Sequence, residues 1–292
     1  MYFRKLLAIL FLINLACQKE TGDNKTTAEV FDDIPQTRLL TPGILDEASG
    51  IADSKANPGY LWVQQDGGNP NDIALLSHDG TFLKKISIKT AVNRDWEDMV
   101  MANGPVAGIN YIYLADIGDN SLASSQYFIY RFTEPVATSD SVFDCDKIIF
   151  QYPDGAHDAE AILVDNNTRD IYIITKQDQP SRVYKLAYPQ ITTSINTAIL
   201  SGSLSFSGVT GAAFSPDGKE ILIKTYNSIH YWKKKSGQPV EQAFVGTPVT
   251  LSYQIEPQGE AICFKNDNSG FFSLSERPSI IASVNLNFYK RN

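Results

Sequence analysis

The chain has 292 residues, room for one large domain or two small ones, and 43% of them are apolar, enough to fill a core. Tyr (14) and Phe (15) are plentiful and Met (3) is scarce, a balance that favours strands over helices. The formal net charge of −8 argues against nucleic-acid binding, which needs a basic stripe to neutralise phosphate, and is compatible with a cation site or a cationic partner.

The first segment is MYFRKLLAILFLINLAC. Arg4 and Lys5 precede an apolar run over residues 6–13, and the small Ala16 stands before Cys17. That run is too short to span a bilayer as a helix. It resembles a bacterial lipoprotein signal, cleaved before Cys17 with lipid on the Cys17 sulfur, although Asn14 stands where such signals usually carry Leu. QKETGDNKTTAEV, which follows, resembles the short acidic export tag of Bacteroidetes surface lipoproteins. The expected organisation is a signal peptide over 1–16, a flexible tether over 17–35 and a single domain over 36–292. The expected setting is the bacterial cell envelope. A monomer would be anchored in the outer membrane through its lipid alone, facing the periplasm or displayed on the surface. A plain secretory signal with an incidental cysteine is the alternative.

Internal repeats decide the fold class. Five stretches look alike: DEASGIADS from Asp46, DWEDMVMA from Asp95, DAEAILVDN from Asp158, GVTGAAFSPDG from Gly208 and PQGEAICFKND from Pro257. Aligned on Gly50, Asp98, Ala161, Gly211 and Ala261, they are spaced by 48, 63, 50 and 50 residues. Each is followed by a second apolar strand (YLWVQQD, YIYLADIGDN, DIYIITKQ, EILIKTYN, GFFSLSE). A third comes next (IALLSHDG, YFIYRF, SRVYKLAY, SIHYWKKK, SIIASVNLNFY), and outer strands show in TFLKKISI and KIIFQY. The turns between are rich in Gly, Asn, Asp and Pro, as in SPDGKE at 215–220. No segment beyond the signal is amphipathic over the length of a substantial helix.

This pattern predicts an all-β protein, a β-propeller of five four-stranded blades. QTRLLTPGIL, residues 36–45, is expected to supply the missing outer strand of the last blade and close the ring. A degenerate sixth blade in the 63-residue interval is an alternative. So is a pair of β-sandwiches, against which the regular period counts.

In a propeller the first strand of each blade lines the axis, so the loops entering these strands share one face. Glu47, Glu97, Glu160 and Glu260 are placed at that entry in four blades, with Thr210 in the remaining one. Asp66, Asp116 and Glu276 end the second strand of blades one, two and five, and Lys176 lies near that position in blade three. These groups are expected to converge on one mouth of the channel. Crowded carboxylates need raised pKa values, basic partners or a hard cation. An oxygen-only donor set favours Ca²⁺ over zinc or copper. Gly118 allows a tight turn in Asp116-Ile117-Gly118-Asp119-Asn120, which either adds oxygens or only shapes the turn. The plainer reading makes each acid a staple that accepts backbone N–H groups of a neighbouring blade.

The same residues carry a family likeness. LDEASGIADSKANPGYLWVQQDGG, NRDWEDMV, YLADIGDN and DAEAILVDNNTRDIYIITK resemble a group of bacterial secreted β-propeller lipoproteins. More distantly, they are similar to the esterase-like phytase and SdiA-regulated groups, over residues 40–280. That resemblance implies a calcium-dependent phosphatase-type site with Glu47, Glu97, Glu160 and Glu260 as metal ligands. It also implies basic residues for phosphate, for which Arg94, Lys176 and Lys224 are the candidates near the channel face. This is a thin set for a polyphosphate.

His157 precedes Asp158 and Glu160 and is a candidate general acid or base at the same mouth. A turn histidine beside an acid is the plainer reading. His78 is expected in a solvated turn and His230 packed within a strand. Trp96 would stack on a sugar-like ligand or wedge between blades. The lysines at 233–235 read as a solvated strand end. Cys145 and Cys263 lie far apart, either paired or, more simply, both small buried hydrophobes. No GxSxG elbow, Walker loop or CxxC is present. Two function classes follow. One is a Ca²⁺-dependent hydrolase of phosphate esters or lactones, whose ion polarises the substrate or activates a water. The other is a non-catalytic module binding a small molecule, glycan, peptide or protein partner, with a structural ion.

Overall fold

The structure, a computed structural model, describes residues 30–292; the expected signal peptide, Cys17 and most of the tether lie outside them. Strand β1 (Gln36–Leu39) comes first in the chain but pairs with the last blade. Blade 1 follows with β2 (Ala48–Asp53), β3 (Tyr60–Gln65), β4 (Asp72–Ser77) and β5 (Phe82–Ile88). Blade 2 comprises β6 (Trp96–Asn103), β7 (Asn110–Asp116), β8 (Tyr127–Thr133) and β10 (Asp146–Gln151). Between its last two strands, β9 (Ser141–Val142) crosses to the edge of blade 1. Blade 3 comprises β11 (Ala159–Val164), β12 (Ile171–Thr175), β13 (Arg182–Leu186) and β15 (Ile199–Ser203), and β14 (Asn196–Thr197) crosses back to blade 2. Blade 4 comprises β16 (Val209–Phe214), β17 (Glu220–Thr225), β18 (Ile229–Lys233) and β19 (Val249–Leu251). Its outer loop carries α1 (Val240–Ala243), the one helix among the described residues. Blade 5 is β20 (Gly259–Phe264), β21 (Gly270–Ser275) and β22 (Asn285–Lys290), completed by β1.

The first strands touch in a closed cycle, β2 to β6 to β11 to β16 to β20 and back to β2. The chain is therefore a five-bladed β-propeller. Pairing of Gln36 with Phe288 through Leu39 with Asn285 brings the first and last strands of the described residues into one sheet and closes the ring, as expected from residues 36–45. The long second interval holds no sixth blade. It is filled by the turn at 117–126 and by the excursion at 134–145 that carries β9 to blade 1. The outer strands of blades 3 and 4, β15 and β19, have no clear sequence signal because their residues are largely exposed.

Each cleft between blades holds one apolar cluster, with alternate side chains of every strand facing opposite neighbours. Trp62 and Trp96 fill the cleft between blades 1 and 2, so Trp96 is a wedge and has no face for a ligand. Tyr113, Tyr127 and Tyr184 fill the next cleft. Each such side chain contributes on the order of 1.5–3 kcal/mol by leaving water. Phe31 is buried between blades 4 and 5, edge-on to Phe271 at 4.9 Å. Packing thus includes residues before 36: Val30 and Phe31, expected within the tether, already touch the ring.

Three smaller expectations change. His78 is not a solvated turn residue: its Nε2 lies 2.6 Å from Asp53 Oδ1 and its ring packs on Phe272. Lys234, within the supposed solvated end, is buried 3.8 Å from Asp165. Cys145 and Cys263 are unpaired, and burial pushes both thiols up, that of Cys145 to about 12.

Candidate metal centre at the channel mouth

Every first strand carries a β-bulge at the same place. Ala48 and Gly50 pair with consecutive residues Gln65 and Gln64, which leaves Ser49 extra. The same shift leaves Glu97 extra in β6, Glu160 in β11, Thr210 in β16 and Glu260 in β20. A bulge re-aims a side chain out of the strand's regular alternation. Here five bulges stand around one axis. The strands reach one another there through small residues: a Cβ on Gly211 would stand 2.4 Å from Glu260 O, and one on Gly50 2.6 Å from Met99 N.

Register corrects two of the expected positions. The bulge residue of blade 1 is Ser49. Glu47 lies two residues earlier, exposed, holding Asn69 Nδ2 at 2.5 Å. The partners of the residues before the bulges are Gln65, Asp116, Thr175, Thr225 and Ser275. One residue further on come Asp66, Ile117, Lys176, Tyr226 and Glu276. Asp116 is therefore one step out of register with Asp66 and Glu276, and a step of one turns a side chain to the other face. It is fully buried, accepting from Arg94 Nε at 3.0 Å and from the Asp95 N–H at 3.1 Å.

Asp66, Asp95 and Glu97 bring carboxylate oxygens within 4.8 Å of one another. Two of them, Asp66 and Glu97, belong to the set expected from sequence; Asp95 does not. Glu97 is only 4% exposed, yet its carboxylate meets no hydrogen-bond donor and no cation among the described residues. Burial raises its pKa well above the ordinary value, and the charges of Glu160, Asp66, Asp95 and Glu260 raise it further. Burial likewise lifts Asp66 to about 6 against the pull of the Gly67 N–H, with Asp95, Glu260 and Glu47 adding to the rise. Asp95 is raised by burial, which the Arg94 charge only partly offsets.

The loops are shaped around these acids. A Cβ on Gly118 would overlap Glu97 Oε1 and stand 2.5 Å from Asp95 Oδ2, and one on Gly67 would stand 2.5 Å from Asp95 Oδ1. Two glycines thus let the turns after β3 and β7 close over the cluster. An oxygen-only, uncompensated set of this kind fits a hard cation such as Ca²⁺.

Across the axis the acids have partners, and one of them has a counter-charge. Lys176 pairs with Glu160 and donates to Tyr226 Oη at 3.1 Å, and Tyr226 Oη donates to Glu260 Oε1 at 2.8 Å. Burial pulls the Lys176 pKa down, but the Glu160 carboxylate outweighs it and holds the ammonium charged. Glu160 Oε2 is left buried without a partner. Glu276 accepts from Ser49 Oγ at 3.0 Å and from Gln258 Nε2; burial and the neighbouring Glu260 push it up to about 9. Ser49, Tyr226 and Gln258 thus join the mouth, with only their repeat position to announce them.

The expected basic and catalytic residues are engaged elsewhere. Arg94 spans Asp116, Ser124 Oγ (2.7 Å) and Gly118 O (3.0 Å), so it clamps the turn after β7. His157 is buried, with Nδ1 2.9 Å from Asp178 and Nε2 2.9 Å from Tyr184 Oη and 3.2 Å from Asp154. Its ring packs on Tyr152 and Tyr184, in the cleft between blades 2 and 3. Lys224 is fully buried between blades 4 and 5, donating to Glu256 Oε2 (2.6 Å) and Ser273 Oγ (2.7 Å); burial lowers its pKa against the Glu256 charge. The opposite end of the channel holds a cavity of about 60 Å³, lined both by apolar side chains such as Met99, Leu163 and Ile262 and by polar ones such as Asp53, Lys55 and Asn266.

No protein family and no curated protein matches this chain in sequence. Among solved structures it is similar to hydrazine synthase of Kuenenia stuttgartiensis, with 12% identity and a TM-score of 0.40 over 85% of this chain and 62% of that one. It is also similar to the Cps50 (Swd1) β-propeller domain of Myceliophteria thermophila, with 11% identity and a TM-score of 0.43 over 84% of each chain. A third similar structure is the Dos1 propeller, at 10% identity and a TM-score of 0.38 over 83% and 68% of the two chains. The chain spans about three fifths of the length of the hydrazine synthase chain. Likeness at this level carries nothing about the mouth.

Proposed function

We propose that this propeller is a cation-dependent binding module, with Ca²⁺ held at the channel mouth by Asp66, Asp95 and Glu97. One observation carries the proposal: Glu97 is buried among other carboxylates, and no described residue sets a donor or a cation against it. A hard cation neutralises that set without the protonation its burial otherwise imposes. Asp66 and Asp95 are only half-buried, which leaves one side of the ion towards solvent. A ligand bearing carboxylate, phosphate or vicinal hydroxyl oxygens, such as a glycan or an acidic peptide, would complete the coordination there. The setting proposed for it is the cell envelope, with a tether through Cys17, a reading supported by the likeness of residues 1–17 to a lipoprotein signal.

Hydrolysis of a phosphate ester or lactone is the second reading. It is favoured by Asp95, whose half-exposed carboxylate is free to accept a proton from a water on the ion. Against it, Arg94, Lys176 and His157 are each saturated by protein acids. The test is metal analysis of the purified full chain, with melts in Ca²⁺ and in EDTA. A native-state ion must raise the melting point, by about 4 kcal/mol of stability at a thousand times its Kd. No co-purified metal and superimposable melts would remove both readings. Turnover of chromogenic phosphate esters or lactones that vanishes in EDTA would replace the first with the second.

A further inference from the structure

We propose that the outer edge of blade 4 carries a separate ligand site, which takes a single acyl chain ending in a carboxylate. It is independent of the cation reading, because none of its residues belongs to the mouth.

The site arises from a short strand. β19 pairs with β18 over three residues only, Ile229–Leu251 to Tyr231–Val249, and Trp232 and Lys233 run on past its end. The loop carrying α1 leaves the sheet and returns, held by Trp232 Nε1 donating to Gly246 O at 2.8 Å. Val30 and Phe31 form the facing wall. Between them opens a cleft of about 650 Å³, within the size range of small-molecule sites. Its floor is apolar, built from Phe31, Trp232, Ala243, Val249 and Leu251, and Val249 is 48% exposed.

Two exposed ammonium groups, on Lys233 and Lys235, line the same cleft. Neither makes an ion pair with a described residue, whereas Lys234 between them turns inward to Asp165. A protein with a net charge of −8 has carboxylates to spare for surface lysines, yet none of the described residues pairs one with these two. An apolar trough with unpaired positive charge at its lip selects an amphipathic anion: the chain is desolvated on the floor, and the head group meets the lysines.

The chain has three tryptophans, and Trp62 and Trp96 are fully buried in other clefts. Quenching by 11-bromoundecanoate in the full-length chain therefore reports on Trp232. The expected result is saturable quenching that Trp232→Phe removes. Lys233→Gln with Lys235→Gln should weaken binding about tenfold, a loss of about 1.4 kcal/mol, and the neutral 11-bromoundecanol should bind as weakly to the unaltered protein. Val249→Arg, at an exposed position, should block binding without changing the melt. Non-saturable quenching, or an affinity indifferent to the two lysines, overturns the proposal. So does tighter binding after deletion of residues 18–29, which would make that segment the occupant. Self-association that hides the cleft and is lost in Val249→Arg would likewise assign it to a second copy.

Discussion

Glu97 and Glu160 stand at equivalent bulges of neighbouring blades, both nearly excluded from water, and their surroundings are opposite. Glu160 faces Lys176, the residue that follows the second strand of its own blade. At that place blade 2 carries Ile117, which is buried and apolar, and the loops of blades 1 and 2 bring only further acids, Asp66 and Asp95, to Glu97. One backbone device has thus been used twice, once with its counter-charge built in and once without. A repeat copies geometry, and the residue one strand away decides whether that geometry is a staple or a site.

The comparison breaks most visibly at Glu97. Glu97→Gln is expected to abolish the stabilisation by Ca²⁺, about 4 kcal/mol at saturating ion, while leaving the metal-free protein at least as stable as before. Parallel melts of the two proteins with and without the ion measure both effects, and a variant that kept the full Ca²⁺ shift would move the site elsewhere. Lys176→Met should turn Glu160 into a second Glu97. The cost in metal-free protein is about 2 kcal/mol, below the usual figure for a broken buried pair because Lys176 is partly exposed. Calcium titration calorimetry should then show an added binding event or a larger heat.

Gly118→Ala sharpens the comparison from the loop side. Its Cβ meets Glu97 and Asp95, so it should cost about 1 kcal/mol as a local overpacking and weaken Ca²⁺ more than it weakens the fold. The slowest effect is on pH. Asp66 and Glu276 have folded pKa values of about 6 and about 9, above their ordinary 3.8 and 4.5. Stability from their protonation is complete below pH 4 and is lost as pH rises through 6 and then 9, because the folded state binds more protons than the unfolded one. The metal-free melt should therefore fall gradually over that span, and saturating Ca²⁺ should flatten the part around pH 6 that belongs to Asp66 by replacing its proton. A metal-free protein that gained stability over this span would contradict the burial of Asp66 and Glu276 without a counter-charge.

The propeller was legible because strand alternation, turn residues and a near-constant interval all repeat, and five repeats average out local ambiguity. Glu97, Glu160 and Glu260 were legible for the same reason, each being the residue before the small or acidic one that begins the regular strand. Glu47 was misplaced because two acidic residues, Asp46 and Glu47, sit near that entry, and only pairing of Ala48 with Gln65 shows which residue is extra. Asp116 was misplaced by one step at the end of a strand, where side-chain direction reverses at every residue. His157, Arg94 and Lys224 looked free because their partners, Asp178, Ser124 and Glu256, lie about 20 to 30 residues away.

By itself the sequence determined the propeller and its five repeats, the closure by a strand within residues 36–45 and the crowding of acids at one end of the channel, all consequences of period and alternation. Only the tertiary structure decided that the long second interval holds no sixth blade, and which acids are paired. Charge compensation depends on distances of a few ångströms between blades, and those depend on bulge register and on where glycine lets a loop descend. It also decided that blade 4 ends in an apolar cleft, because β19 stops after three residues and no pattern in the chain marks that stop.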